Sequence, residues 1–249
     1  ANDNFQVGIE SYGQENNRST ITDNIITINK QTKGIWASHA DIENNVIDTP
    51  DFNGCCDIQS SWGIGHGDNN LIQNNTINAY SGIDISDKNN NTINNNNITS
   101  RWMAINGESA ENLSITNNII NSNDSGSGHA IYLSDGTFDI SYNLINNSHN
   151  NAVYVTNQFS GNISNNTIIG SNTEGWAINI SDLSAPTVYN NLIVDYRDGI
   201  YAENDLSNTE IRHNNLYNVS GIEYDGNAIP VLIGQYVSEN NNGDSTDIY

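Results

Sequence analysis

Three features of the 249-residue sequence predict an all-β solenoid, a parallel β-helix of about ten coils with three short strands in each. An asparagine pair followed by an aliphatic residue recurs from one end of the chain to the other. Between those pairs recurs a small residue followed by aliphatics at every second position. No helical periodicity runs through either pattern, so each repeat reads as one coil that buries its apolar face only against its neighbours.

The asparagine pairs mark one corner of every coil. Asn44-Asn45-Val46-Ile47, Asn74-Asn75-Thr76-Ile77, Asn117-Asn118-Ile119-Ile120, Asn165-Asn166-Thr167-Ile168, Asn190-Asn191-Leu192-Ile193 and Asn214-Asn215-Leu216-Tyr217 are clear copies. Asp23-Asn24 and Tyr142-Asn143 are variants, and one copy sits in the run Asn94 to Asn97. Taking the last asparagine of each as a marker, at 24, 45, 75, 97, 118, 143, 166, 191 and 215, the spacing is 21 to 25 residues, with one interval of 30. Asparagine tolerates left-handed backbone angles and bonds to nearby backbone, which suits a tight corner. Stacked in successive coils, its amides can form ladders along the axis.

The strands follow from period-two alternation. Gly82-Ile83-Asp84-Ile85, Ala130-Ile131-Tyr132-Leu133, Ala152-Val153-Tyr154-Val155 and Ala177-Ile178-Asn179-Ile180 put aliphatics inward and Asp84, Tyr132, Tyr154, Asn179 and Tyr201 outward. Gly8-Ile9, Gly34-Ile35, Gly63-Ile64, Ala104-Ile105, Gly199-Ile200 and Gly221-Ile222 extend the series. A second strand leads into the asparagines, as in Leu113-Ser114-Ile115 and Phe138-Asp139-Ile140, and the x-Ile after them supplies the third. At about 4.8 Å per coil, ten coils make a rod on the order of 45 Å long. The whole chain, 1–249, forms one domain, with coils over about 6–225 and an irregular tail or cap at 226–249.

Composition agrees with a narrow core. Apolar residues are 35% of the chain and mean hydropathy is −0.55, but a disordered chain would lack the regularly spaced Ile, Leu and Val. Lys and Arg total 7 against 29 Asp and Glu, and a net charge of −22 repels nucleic acid and anionic membranes. No apolar run approaches the roughly 20 residues of a membrane-spanning helix. The two cysteines, Cys55 and Cys56, are adjacent and build neither a zinc site nor a disulfide framework. The chain begins with Ala1, which is expected of a processed or excised segment. Asn-x-Ser/Thr matches such as Asn97-Ile98-Thr99 and Asn162-Ile163-Ser164 point weakly outward from the cytoplasm.

With its Asn-Asn-x-Ile rhythm, the chain resembles the right-handed parallel β-helix superfamily of pectin-lyase-like proteins over about residues 6–225. It is most similar to the generic repeats of carbohydrate-binding and sugar hydrolase β-helices. The resemblance implies a right-handed, single-stranded helix and an extracellular or cell-surface location. It does not select an activity, because that superfamily holds polysaccharide lyases, glycoside hydrolases, epimerases, tailspikes and non-enzymatic surface proteins. Two functions follow as expectations. The first is a secreted or cell-surface protein that binds or cleaves polysaccharide, acting as a glycoside hydrolase or lyase if it is an enzyme. The second is a non-catalytic structural protein of a cell surface, appendage or filament.

Candidate sites lie where the rhythm is interrupted. The longest insertion, Val46 to Gly63, carries Phe52, Cys55, Cys56, Asp57 and Trp62, with His66 and Asp68 just after it. One position after the first-strand aliphatic stand Glu10, Trp36, Asp84, Asn106, Tyr132, Tyr154, Asn179, Tyr201 and Glu223; two before it stand Lys33, Trp62, Met103, His129, Trp176 and Asp198. Together they outline a shallow groove with aromatic walls, and Trp36, Trp62, His66, Tyr154, Trp176 and Tyr201 are the expected saccharide contacts. Asp84 and Glu108, on successive coils, are the carboxyl pair expected to carry hydrolysis, which needs roughly 5 to 9.5 Å between them. Tyr132, His129 and Arg101 are the expected assisting groups.

A lyase would instead neutralise a uronate and use a base, with Lys33, Arg101 and Arg197 the cations near the face. Four positions after the aliphatic, Asp68, Asp87, Asp135 and Asp182 form a near-column of hard oxygen ligands that calcium would suit, though aspartate is equally a turn residue. The first coil begins by Val7, leaving no room for a capping helix. Open strand edges there predict end-to-end association or a longer parent chain.

Overall fold

A computed structural model of the protein describes residues 6–28, 32–48, 61–65, 67–122, 128–147, 150–157, 160–171, 175–182, 184–203 and 209–226. Among these residues all regular structure is strand, arranged as three parallel sheets that wrap one core. The first sheet has ten strands, from Gln6–Tyr12 and Thr32–Ser38 to Asp198–Ala202 and Tyr224–Gly226. The second and third have nine each, the second starting at Ser19–Thr22 and the third at Ile25–Thr27. Nine coils therefore carry all three strands, and a tenth contributes one. Each strand pairs only with its equivalents in the coils before and after, which is the connectivity of a parallel β-helix.

One aliphatic side chain from each sheet meets the other two at the centre of every coil. Ile35, Ile42 and Ile47 form one such triad; Ile83, Ile93 and Ile98 another; Ile105, Ile115 and Ile120, and Ile131, Ile140 and Ile145, the next two full repeats of it, all 0% exposed. β-branched side chains suit the pleated surface, and each buried isoleucine contributes about 1.5–3 kcal/mol by leaving water. These triads, with a few flanking residues such as Ala37, Ile85, Leu133 and Val155, fill so narrow a section, which explains the low apolar content.

The asparagine pair divides its labour. The first member takes left-handed angles: Asp23, Asn44, Asn74, Asn95, Asn117, Tyr142, Asn165, Asn190 and His213 all have φ between 53° and 60°. The second turns inward, and from Asn45 to Asn214 these residues are no more than 2% exposed. Their amides form one continuous ladder. Asn45 Nδ2 donates to Asn75 Oδ1 at 3.0 Å, Asn75 to Asn96 at 3.0 Å, Asn96 to Asn118 at 3.0 Å, and so on to Asn214. Each Oδ1 also accepts the backbone N–H of the asparagine one coil earlier, and each Nδ2 reaches the carbonyl of a core residue there, as Asn118 does to Ile93. The ladder thus satisfies backbone that the corner would otherwise orphan.

Two register expectations are corrected. The inward asparagine is Asn96 rather than Asn97 and Asn214 rather than Asn215, since Asn97 and Asn215 open third-sheet strands opposite Thr76 and Leu192. The last coil is also shifted. Gly221-Ile222 does not continue the first sheet: Ile200 lies opposite Tyr224, and Ile222 is 50% exposed.

Candidate functional site

The outward column of the first sheet is the most chemically varied surface of the rod. In register it reads Glu10, Trp36, Gly65, Asp84, Asn106, Tyr132, Tyr154, Asn179, Tyr201 and Asp225. Alternation expected most of these, but Gly65 takes the place between Trp36 and Asp84, and Asp225 replaces Glu223 at the far end.

Gly65 decides the local geometry. A side chain there would crowd Lys33, with a Cβ standing 3.1 Å from its Cδ and 3.3 Å from its Nζ. Without one, Lys33 lies buried across the gap. Its Nζ is 3.9 Å from the centre of the Trp36 ring and 4.0 Å from Asp84 Oδ2. Burial pulls the lysine below its ordinary pKa, and the Asp84 charge opposes that shift. Asp84 Oδ1 accepts from Ser86 Oγ at 2.7 Å and from Asn106 Nδ2 at 3.2 Å, while Asn106 Nδ2 also donates to Ser86 Oγ at 2.7 Å. Asp84 is therefore held by donors on its own coil and the next, and by a cation two coils back.

Glu108 is on the coil after Asp84, as expected, and is exposed at the end of Ile105–Glu108. The two carboxylates are diagonal rather than side by side, because Asp84 pairs with Asn106 and Glu108 with Ser134. One coil across and two residues along place their Cα atoms roughly 8 Å apart.

Aromatic side chains run along the same side. His129 stacks on Tyr132 with ring centres 5.9 Å apart and 18° between planes, and meets Tyr154 at 4.8 Å. Tyr132 and Tyr154 are 5.6 Å apart, and Trp176 and Tyr201 5.4 Å. Burial pushes His129 down to about 4, and its Nδ1 is enclosed without a hydrogen-bond partner. Burial raises the Tyr132 hydroxyl; a hydrogen bond with Ser134 opposes the shift and the Glu108 charge adds to it.

Towards the N-terminal coils Trp62 contacts Trp102 at 6.4 Å, and Trp102 contacts Tyr80 at 6.4 Å. Trp102 also covers Gly128, next to His129. Tyr80 and Trp102 were not among the expected residues. Both sit in turns entering the first sheet, where no strand alternation marks them; the usable signal was an aromatic at the same corner of successive coils. Arg101 precedes Trp102 in that turn, and its backbone N–H donates to Tyr80 O at 3.1 Å.

The aspartates expected to hold calcium occupy corners. Asp87, Asp135 and Asp182 are exposed, with φ of 58°, 52° and 51°, and Asp68 Oδ1 accepts the Asn89 N–H at 2.8 Å. Among the described residues no three His, Cys, Asp or Glu side chains come together as a metal site. His66, most of the Val46–Gly63 insertion and the tail after 226 lie outside the described residues.

A parallel solenoid with an aromatic and carboxylate-bearing sheet defines the β-helix class, and comparison with known proteins places the chain within it. The family model described as "Right handed beta helix region" matches residues 56–193 and 104–247, and the chain belongs to that family. Comparison with curated proteins found no match. Among solved structures the chain is similar to the Agl-KA catalytic domain, with a TM-score of 0.58 and 15% identity over 85% of this chain. That match takes in 47% of the Agl-KA chain, so this chain spans about half of that structure. It is also matched to PfbA, a surface adhesin of Streptococcus pneumoniae, with a TM-score of 0.48, 15% identity, and 92% and 69% of the two chains covered. Alginate lyase from Paenibacillus sp. str. FPU-7 gives a TM-score of 0.30 at 12% identity over 84% of this chain and 99% of the other.

Proposed function

We propose that the protein is a secreted or cell-surface β-helix whose first-sheet face binds polysaccharide. The observation that carries this reading is the run of aromatic rings along one side of the rod, from Trp62 and Trp102 through His129, Tyr132 and Tyr154 to Trp176 and Tyr201. Rings at these spacings offer apolar plates to the C–H faces of pyranoses, and Asn106, Asn179 and Asp84 between them offer partners to hydroxyls. A glycan array followed by calorimetry tests it. Trp176→Ala and Tyr154→Ala are expected to weaken binding by about tenfold each, the effect of losing roughly 1.4 kcal/mol of stacking. Binding that survives in the double variant would place the site elsewhere. A protein that binds no glycan and assembles into ordered filaments would instead support a structural role.

Cleavage is a second reading, supported by the diagonal placement of Asp84 and Glu108. With Cα atoms roughly 8 Å apart on one face, the two side chains have the reach to set their carboxyl groups within the roughly 6.5–9.5 Å that leaves room for a water between an acid and a base. In this scheme Asp84, held by Lys33, Ser86 and Asn106, activates the water, and Glu108 protonates the leaving oxygen. Asp84→Asn and Glu108→Gln are each expected to reduce hydrolysis by at least about a hundredfold while leaving binding nearly intact. Full activity in either variant would remove that residue from the mechanism.

A further inference from the structure

We infer that the glycan taken by the first-sheet face is uncharged: a polymer of neutral hexoses or pentoses and not a polyuronate. The inference rests on the glycan-binding reading and on a census of the chain's cations. A polyuronate carries a negative charge on every sugar, so it needs local cations to overcome the field of a protein with a net charge of −22.

The chain has seven Lys and Arg residues, and those among the described residues do not provide them. Arg18 is bound to Asp41 at 2.7 Å and Arg212 lies 3.3 Å from Glu210, both on the second-sheet side. Lys88 is in the turn leading from the first sheet to the second, and Lys30 lies outside the described residues. Three cations remain near the aromatic face. Arg197 is committed to Asp198 at 2.7 Å. Lys33 is 7% exposed, with Trp36 on one side and Asp84 on the other. An ammonium sealed in that way fixes Asp84 and cannot reach a sugar carboxylate.

Arg101, in the turn before Ile105–Glu108, adds one more cation on this side of the rod, too few for a polymer charged on every sugar. Glu10 and Asp225 occupy the two ends of the outward column, so an extended polyanion would meet like charge at both ends. His129 adds no positive charge at neutral pH, because burial keeps its ring neutral down to about pH 4. What the face does offer is rings and amides, with Asn106 and Asn179 set between the charged and aromatic members of the column. Those groups match ring C–H bonds and hydroxyls.

The test is calorimetry on the full chain with two sets of hexasaccharides. One set holds neutral α- and β-linked glucose, mannose, galactose and xylose oligomers; the other holds galacturonate, mannuronate and guluronate oligomers. Both are titrated in EDTA and again with added calcium. The expected result is that at least one neutral oligomer binds, with an affinity that changes less than about twofold between low and physiological salt. Every uronate oligomer should bind at least about tenfold more weakly in either buffer. A uronate that binds as tightly as the best neutral oligomer, with or without calcium, overturns the inference while leaving glycan binding in place. No binding by either set overturns the glycan-binding reading itself.

Discussion

Asn118 shows how much one side chain does in this fold. Its Nδ2 donates to Asn143 Oδ1 at 3.0 Å and to Ile93 O at 3.0 Å, and its Oδ1 accepts from the Asn96 backbone and side chain. Truncation to alanine orphans the buried Asn96 N–H and removes one bond each from the Asn96 amide, the Asn143 amide and the Ile93 carbonyl. Asn118→Ala is therefore expected to cost about 2–4 kcal/mol, whereas Asn97→Ala, at an exposed strand position, should cost less than about 1 kcal/mol. Urea unfolding of the two variants checks the contrast; equal losses would mean that the ladder is not the stabilising element. The sequence shows the pair plainly but not which member turns inward. In the run Asn94 to Asn97 four identical side chains compete, and only closure of the coil, with Ile98 inside, selects Asn96. Tyr142 and His213 make the complementary point, since both adopt the left-handed corner that asparagine elsewhere favours. The backbone angle is what the corner requires.

At the scale of the element, the first sheet shows what alternation reveals and what it conceals. Trp36, Asp84, Tyr132, Tyr154 and Tyr201 share a column because residues two apart face one way and parallel pairing brings equivalents together. Turn residues escape that logic, so Tyr80 and Trp102 became visible only once the coil had closed. Gly65 was illegible for a related reason: a glycine in a strand announces no partner, and its role appears only when Lys33 is seen lying across it.

The same sheet gives a pH prediction. His129 has a folded-state pKa of about 4 against an ordinary 6.5, so below pH 6.5 the unfolded chain takes up the proton first. Its contribution to stability is complete above about pH 6.5 and is lost as the pH falls towards 4, amounting to roughly 3 kcal/mol there. His129→Phe keeps a ring against Tyr132 and Tyr154 but cannot titrate. The difference in unfolding free energy between the two proteins should shift in favour of the variant by that amount from pH 7 to pH 4. A constant difference would show that His129 titrates normally in the folded protein.

For the whole molecule, stability is a sum over coils, because each strand pairs only with its equivalents in the coils on either side. The coils around Ile105, Ile115 and Ile120 have neighbours on both sides, whereas the inward Ile9 and Ile26 of the first described coil are only partly buried. Amide hydrogen exchange is expected to be slowest in the central coils and to quicken towards both ends; uniform protection would indicate all-or-none opening. At this scale the sequence is most readable. A triad of aliphatics, a corner pair and a constant interval repeat often enough to set coil number and strand order. Chemistry is less readable, because Lys33, Gly65 and Asp84 come from three successive coils and nothing in the repeat marks them as neighbours.

The ladder has a further consequence. Eight side-chain amide bonds, from Asn24 to Asn214, all run in one sense, each donated towards the next coil and accepted by a C=O directed towards the previous one. Backbone dipoles in sheets largely cancel, but these do not, and hydrogen bonds in a chain polarise one another. Along its axis the rod is electrically polar, with partial negative charge displaced towards the first coil and partial positive charge towards the last.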